Sequence, residues 1–133
     1  KEACGNMEQI VTTARMIRGK CDLYSGDDHL NLPILAIGGA GLISVSSNIF
    51  PRETKQLYEA VKRGDLGEAN RLQDKMLPVI DLLFCEVNPI PAKAAADMIG
   101  LEGGTPRAPL TEMEPAHKEQ LRAALKTYGL IKD

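Results

Sequence analysis

A chain of 133 residues, 44% apolar and 26% charged, has the composition of a soluble globular domain with one modest core. Sixteen basic against eighteen acidic residues give a net charge of -2, which excludes a broad basic face for nucleic acid; with no Trp, three Tyr and two Phe there is also little to stack bases on. No apolar run approaches the roughly 18–20 residues of a membrane helix, and three cysteines (Cys4, Cys21, Cys85) without a C-x-x-C pair exclude a disulfide framework and fit a reducing cytoplasm.

The start of the chain carries neither an apolar signal core nor a Met, so translation is expected to begin upstream of Lys1. Asn6 is placed to cap a helix, with Gln9 three residues on as a capping box asks. Ile10, Val11, Ala14 and Ile17 then recur at helical spacing, and Gly19 suits the position just past the helix end. A short strand is predicted over 22–25, broken by Gly26, Asp27 and Asp28. Residues 29–37 read as a short helix with Pro33 in its first turn or two, where a missing N–H is tolerated. A flexible turn, Gly38-Gly39-Ala40-Gly41, leads to a second strand over 42–45.

Pro51 suits the first turn of a helix that Gly64 stops. Asp65 caps the next, which sets Leu66, Ala69, Leu72, Met76, Leu77, Ile80 and Leu83 on one side and should kink at Pro78. Asn88-Pro89-Ile90-Pro91 is a rigid entry to an alanine-rich helix over 92–99, and 103–109 is extended and irregular. Thr111 or Glu114 starts a last helix with Leu121, Ala124 and Leu125 inward, ending at Gly129.

Two zones emerge. Residues 1–64 alternate helix and short strand, the signature of β/α units in a parallel sheet, and 65–133 are helical only. Two or three parallel strands cannot close on themselves, and they need both faces and their neighbours covered. An N-terminal segment or a partner chain is therefore expected to complete the sheet.

Three blocks carry a resemblance. Lys1-Glu2-Ala3-Cys4-Gly5-Asn6 is similar to K-E-A-[ST]-G-N. Ser25-Gly26-Asp27-Asp28 followed by Gly38-Gly39-Ala40-Gly41-Leu42-Ile43-Ser44-Val45 is similar to S-G-D-D and G-G-x-G-x-I-S-V. Asn88-Pro89-Ile90-Pro91-Ala92-Lys93 is similar to N-P-I-P-[VA]-K, and Arg107-Ala108-Pro109-Leu110-Thr111 to R-x-P-[LM]-T. In this order over the whole chain, the blocks resemble the dihydrodipicolinate synthases, pyruvate-dependent Schiff-base lyases.

The resemblance implies an α/β fold: the last units, about strands six to eight, of a (β/α)₈ barrel, then a small helical C-terminal domain. A whole barrel needs about 250 residues. The first five strands, with the family's Thr pair and proton-shuttling Tyr, would lie outside this chain. Lys1 matches the carbonyl-attacking lysine, Gly26 a position lining the pyruvate pocket, and Ile43 the position whose backbone touches pyruvate. No cofactor and no metal is implied. The partners implied are pyruvate, aspartate semialdehyde, the N-terminal part of the barrel, and copies of the chain in a homotetramer or dimer; no nucleic acid and no membrane is involved.

Lysine attacks a ketone only as the neutral amine, and a pKa near 10.4 in water leaves it charged at pH 7. Burial in a barrel would disfavour the ammonium and lower that pKa. Read apart from the resemblance, Lys1 is a solvated terminal residue, Ile43 a core isoleucine and Gly26 a turn glycine. Asp27 and Asp28 are expected to cap the next helix rather than bind metal, since two acids without a third ligand define no site. His29 and His117 read as isolated surface residues and Cys4 as a packed thiol. Glu2 is able to pair with a base, though the sequence names none. Other enamine-forming aldolases, such as N-acetylneuraminate lyase or 2-keto-3-deoxy acid aldolases, share the lysine chemistry. The alternative of another class is a non-catalytic half-barrel or helical assembly module, its amphipathic C-terminal helices docking on a partner.

Overall fold

The structure, a computed structural model, describes residues 1–132. Helix α1 (Met7–Ile17) begins where the Asn6 side chain accepts from the Gln9 N–H at 3.2 Å, and it ends before Gly19, whose φ of 77° is open to glycine at no steric cost. Strand β1 (Tyr24–Ser25) leads through a 3₁₀ turn (Asp28–Leu30) into α2 (Asn31–Ala36), with Pro33 in its first turn as predicted. Strand β2 (Gly41–Leu42) is followed by a second 3₁₀ turn (Ser46–Asn48) and then α3 (Pro51–Lys62), α4 (Leu66–Leu83), α5 (Ile90–Met98) and α6 (Pro115–Tyr128). Asp65 caps α4 by accepting from the Glu68 N–H at 3.0 Å, and Gly129, at φ 92°, closes α6. None of these helices is long and apolar enough to cross a membrane.

The strands are shorter than the apolar runs suggested. Pairing covers Tyr24 with Gly41 and Ser25 with Leu42, in parallel, and a parallel bridge adds Glu2 beside Ser25. The order is therefore the Glu2 segment, β1, β2, each joined to the next through helices, as the β/α alternation predicted. Ile43 lies just past β2, a correction to its expected place within the strand, although its N–H still donates to the Ser25 carbonyl at 2.7 Å.

Side chains alternate across this narrow sheet. Leu23 and Ser25 point to the helical side and are buried. Lys1, Ala3, Tyr24 and Ile43 fall on the other face and are exposed, Ile43 to 50%. No element of the described residues covers that face.

Two apolar cores hold the chain. The smaller joins Ile10 and Ala14 of α1 to Leu23 and Ile34. The larger gathers α3 to α6 around Leu57, Ile80, Leu83, Leu121 and Leu125, all fully buried. Each such side chain contributes about 1.5–3 kcal/mol by leaving water. Phe50 stacks on Tyr128 with ring centres 5.3 Å apart, tying the start of α3 to the end of α6. Val11 and Leu66, expected inward, are about half exposed, while Gln73 and Val79 take buried places on α4 instead.

Candidate active site

Lys1, Gly26 and Ile43 come together at one end of the three parallel segments. The Glu2 N–H donates to the Tyr24 carbonyl at 2.9 Å, and the Gly26 N–H returns to the Glu2 carbonyl at 2.8 Å. These two bonds fix the Lys1 backbone beside β1. Its side chain then runs across Gly26: a Cβ at position 26 would lie 2.2 Å from Lys1 Cε and 2.8 Å from Lys1 Cγ. Gly26 is outside the positive-φ set, so what the position demands is space rather than backbone freedom. Ile43 follows on the far side of β1, held by the Ser25 carbonyl. Among the described residues nothing donates to the Ile43 carbonyl oxygen.

Within the described chain Lys1 is exposed. Cys4 is also exposed rather than packed. Its sulfur lies 3.4 Å from the Asn6 N–H and 3.7 Å from the Asn6 carbonyl, closing a local turn. Among the described residues no side-chain base pairs with Glu2; its carboxylate accepts from the Ala3 and Cys4 N–H groups at 3.0 and 3.1 Å, and hydrogen bonding from Cys4 holds its pKa below the usual range.

The two aspartates behave differently from one another. Asp27 caps the following turn as predicted, accepting from the His29 N–H at 3.0 Å. Asp28 does not. Its carboxylate is buried and reaches forward 17 and 18 residues to the Val45 and Ser46 N–H groups, at 2.9 and 2.7 Å, while Asn31 Nδ2 donates to its other oxygen at 2.8 Å. Nothing local in the sequence marks this long reach.

The histidines, expected to be isolated, are both paired with acids. His29 Nε2 is 2.9 Å from Asp81 Oδ1 on α4, with Phe84 edge-on to the ring. His117 Nδ1 is 2.7 Å from Glu86 Oε1, and that oxygen also accepts from the Glu114 N–H at 3.1 Å. Cys85 joins this second group, all three ligand atoms lying within 4.8 Å of one another. Yet Cys85 Sγ donates to the Leu82 carbonyl at 3.2 Å, and burial, with the Glu86 charge, pushes the thiol pKa up. Glu86, with His117 and the Glu114 N–H, forms a hydrogen-bonded tie between the end of α4 and the start of α6, while Cys85 turns back onto α4.

Residues 1–128 match the Dihydrodipicolinate synthetase family. The chain belongs to that family. It is 47% identical over 130 residues to a 4-hydroxy-tetrahydrodipicolinate synthase of Caldicellulosiruptor bescii, covering 98% of this chain and 44% of the relative. The enzyme of the same name from Archaeoglobus fulgidus is 41% identical over 131 residues, covering 98% of this chain and 45% of that one. Among solved structures, the dihydrodipicolinate synthase of Aquifex aeolicus superposes with a TM-score of 0.91 at 40% identity, over 98% of this chain and 44% of its own. The chain thus spans a little under half the length of these family members, and over that span it shares their fold.

Proposed function

We propose that this chain supplies the last β/α units and the helical C-terminal domain of a 4-hydroxy-tetrahydrodipicolinate synthase, and that Lys1 is its Schiff-base residue. On this proposal residues 1–64 form about strands six to eight of a (β/α)₈ barrel with their helices, and 65–133 the remaining barrel helix and the C-terminal domain. The observation that carries it is the Lys1 stem lying across Gly26, on the uncovered sheet face that Ile43 shares. Barrel active sites gather residues from the C-terminal ends of several strands. The exposed face would be the barrel interior, and the remaining strands would bury it.

In that enclosure the Lys1 amine adds to C2 of pyruvate. Loss of water leaves an iminium, which acts as an electron sink. A methyl proton then departs and an enamine forms. The enamine carbon attacks the aldehyde of aspartate semialdehyde, making the new C–C bond, and the substrate's own amine displaces lysine as it cyclises. Gly26 leaves room for the stem and lines the pyruvate pocket, while Ile43 offers backbone rather than side-chain chemistry. The 133-residue chain alone, with Lys1 in water, is inactive. The whole enzyme works in the cytoplasm as a homotetramer or dimer.

Borohydride trapping with pyruvate on the full-length protein tests this. A reduced adduct on the peptide carrying Lys1 is expected, with faster turnover of aspartate semialdehyde than of longer sugar aldehydes. An adduct on another residue, or none, overturns the assignment of Lys1; preference for the sugars moves the enzyme to the sialic acid type of aldolase.

A further inference from the structure

The Asp28 carboxylate takes no part in the chemistry above, and yet it is among the most deeply buried polar groups of the chain, with 1% exposure. A buried carboxylate is costly unless its lone pairs are filled by good donors. Here three donors fill them: Asn31 Nδ2 at 2.8 Å, and the Val45 and Ser46 N–H groups at 2.9 and 2.7 Å. Its own carbonyl accepts from Gln73 Nε2 of α4 at 3.0 Å. The residue is thus fixed from behind by the helical layer and grips the segment after β2 from that side.

That segment has a second anchor in front, where the Ile43 N–H meets the Ser25 carbonyl at 2.7 Å. Only Ser44 separates the anchored N–H groups of residues 43 and 45. The Ser44 hydroxyl is itself turned back onto the Ser47 N–H at 2.9 Å. Among the described residues, what remains unengaged between the anchors is the peptide of the Ile43 carbonyl and the Ser44 N–H. Removing the rear anchor would let this peptide swing about the front one.

We infer that Asp28 is a positioning residue, whose buried carboxylate holds the 43–46 backbone in register with the strand end carrying Lys1 and so sets the site's affinity for a 2-oxo acid. The inference rests on the Schiff-base reading and goes beyond it by assigning a group that touches no substrate. Asp28→Asn keeps the shape but replaces the charged acceptor of the Val45 and Ser46 N–H groups with a weaker, neutral amide oxygen, while Asn31 can turn its own unpartnered oxygen onto the new N–H₂. The paired exchange Asp28→Asn with Asn31→Asp keeps a carboxylate in the same buried cluster while moving the charge away from Val45 and Ser46.

The measurement is borohydride trapping of Lys1 in the full-length protein over a range of pyruvate concentrations, followed by mass, beside a thermal melt. Both variants are expected to trap fully at saturating pyruvate, with the half-trapping concentration raised about tenfold. Leu121→Ala, in the distant core of α6, is expected to lower the melting temperature and leave that concentration unchanged. Half-trapping at the wild-type concentration in either Asp28 variant overturns the inference, as does failure of both to fold, which would leave Asp28 a role in the fold alone. If the unaltered protein forms no adduct on Lys1, the Schiff-base reading itself fails, and the inference with it.

Discussion

Adding a single methyl group at position 26 should separate chemistry from stability. In Gly26→Ala the new Cβ would stand 2.2 Å from Lys1 Cε, 2.8 Å from Lys1 Cγ and 3.1 Å from Ala3 Cβ. Carbon atoms rest at about 3.5–4.0 Å, so Cε must retreat by roughly 1.3 Å or more. The stem is flexible and exposed, and it can swing aside without disturbing either core. Because the clash is with a flexible side chain rather than with backbone, stability should stay within about 1 kcal/mol of the wild type. The amine moves with the stem. A displacement of about 1 Å at a reacting group can cost on the order of 10²-fold in rate. The assay is the rate of borohydride-trapped adduct formation at saturating pyruvate in the full-length protein, paired with a urea unfolding curve. Trapping at the wild-type rate would show that the stem does not need its path over Gly26. A large loss of stability would show that the glycine serves the fold instead.

Further outcomes follow from the helical part. Leu121→Ala, at a fully buried position, should cost about 2–5 kcal/mol in urea unfolding. Asp65→Ala removes the acceptor for the Glu68 N–H and should cost about 1 kcal/mol by the same measurement. The Tyr128 hydroxyl is buried without a partner among the described residues, so Tyr128→Phe should leave stability unchanged or raise it. Burial, with the Glu53 charge, pushes the Tyr128 pKa up to about 12 from 10.0. Between those values the unfolded chain has released the phenolic proton while the folded chain keeps it, so stability should fall as pH rises from 10 towards 12. Denaturation midpoints across that range should fall less steeply for Tyr128→Phe; an equal slope would refute the burial of the hydroxyl.

Local chemistry was readable in the sequence wherever a backbone rule applied to a single residue. The caps at Asn6 and Asp65, the closing glycines at 19 and 129, and Pro33 in a first turn all stand as their residue types required. The strand ends were not readable. The run Leu42-Ile43-Ser44-Val45 is rich in β-branched residues and so read as strand to Val45, but pairing stops at Leu42 and Ile43 beyond it is half exposed. Contacts across long separations were invisible for a different reason. His29 with Asp81, His117 with Glu86, and Asp28 with Val45 and Ser46 depend on how α4, α6 and the turn after β2 are placed, and no local spacing encodes that placement. At the candidate site Lys1, Gly26 and Ile43 were named through motif blocks, whereas the reason for a glycine at 26 emerges only from the course of the Lys1 stem.

That course also explains why two of the three candidate positions carry no reactive group. A lysine nucleophile must be delivered along a defined line, and four methylene groups leave it free to wander. On the proposed reading of Lys1, the line is drawn by backbone. The Glu2 segment is stitched to β1 by two hydrogen bonds, the absence of a side chain at 26 opens a channel for the stem, and the neighbouring segment at 43–46 is pinned at both ends. Main-chain groups held in a ladder lose little further entropy when a substrate arrives, which flexible side chains cannot match. Precision at such a site therefore depends on residues with nothing to donate to the reaction, and substitutions at positions 26 and 28 test it more directly than exchanging the lysine itself.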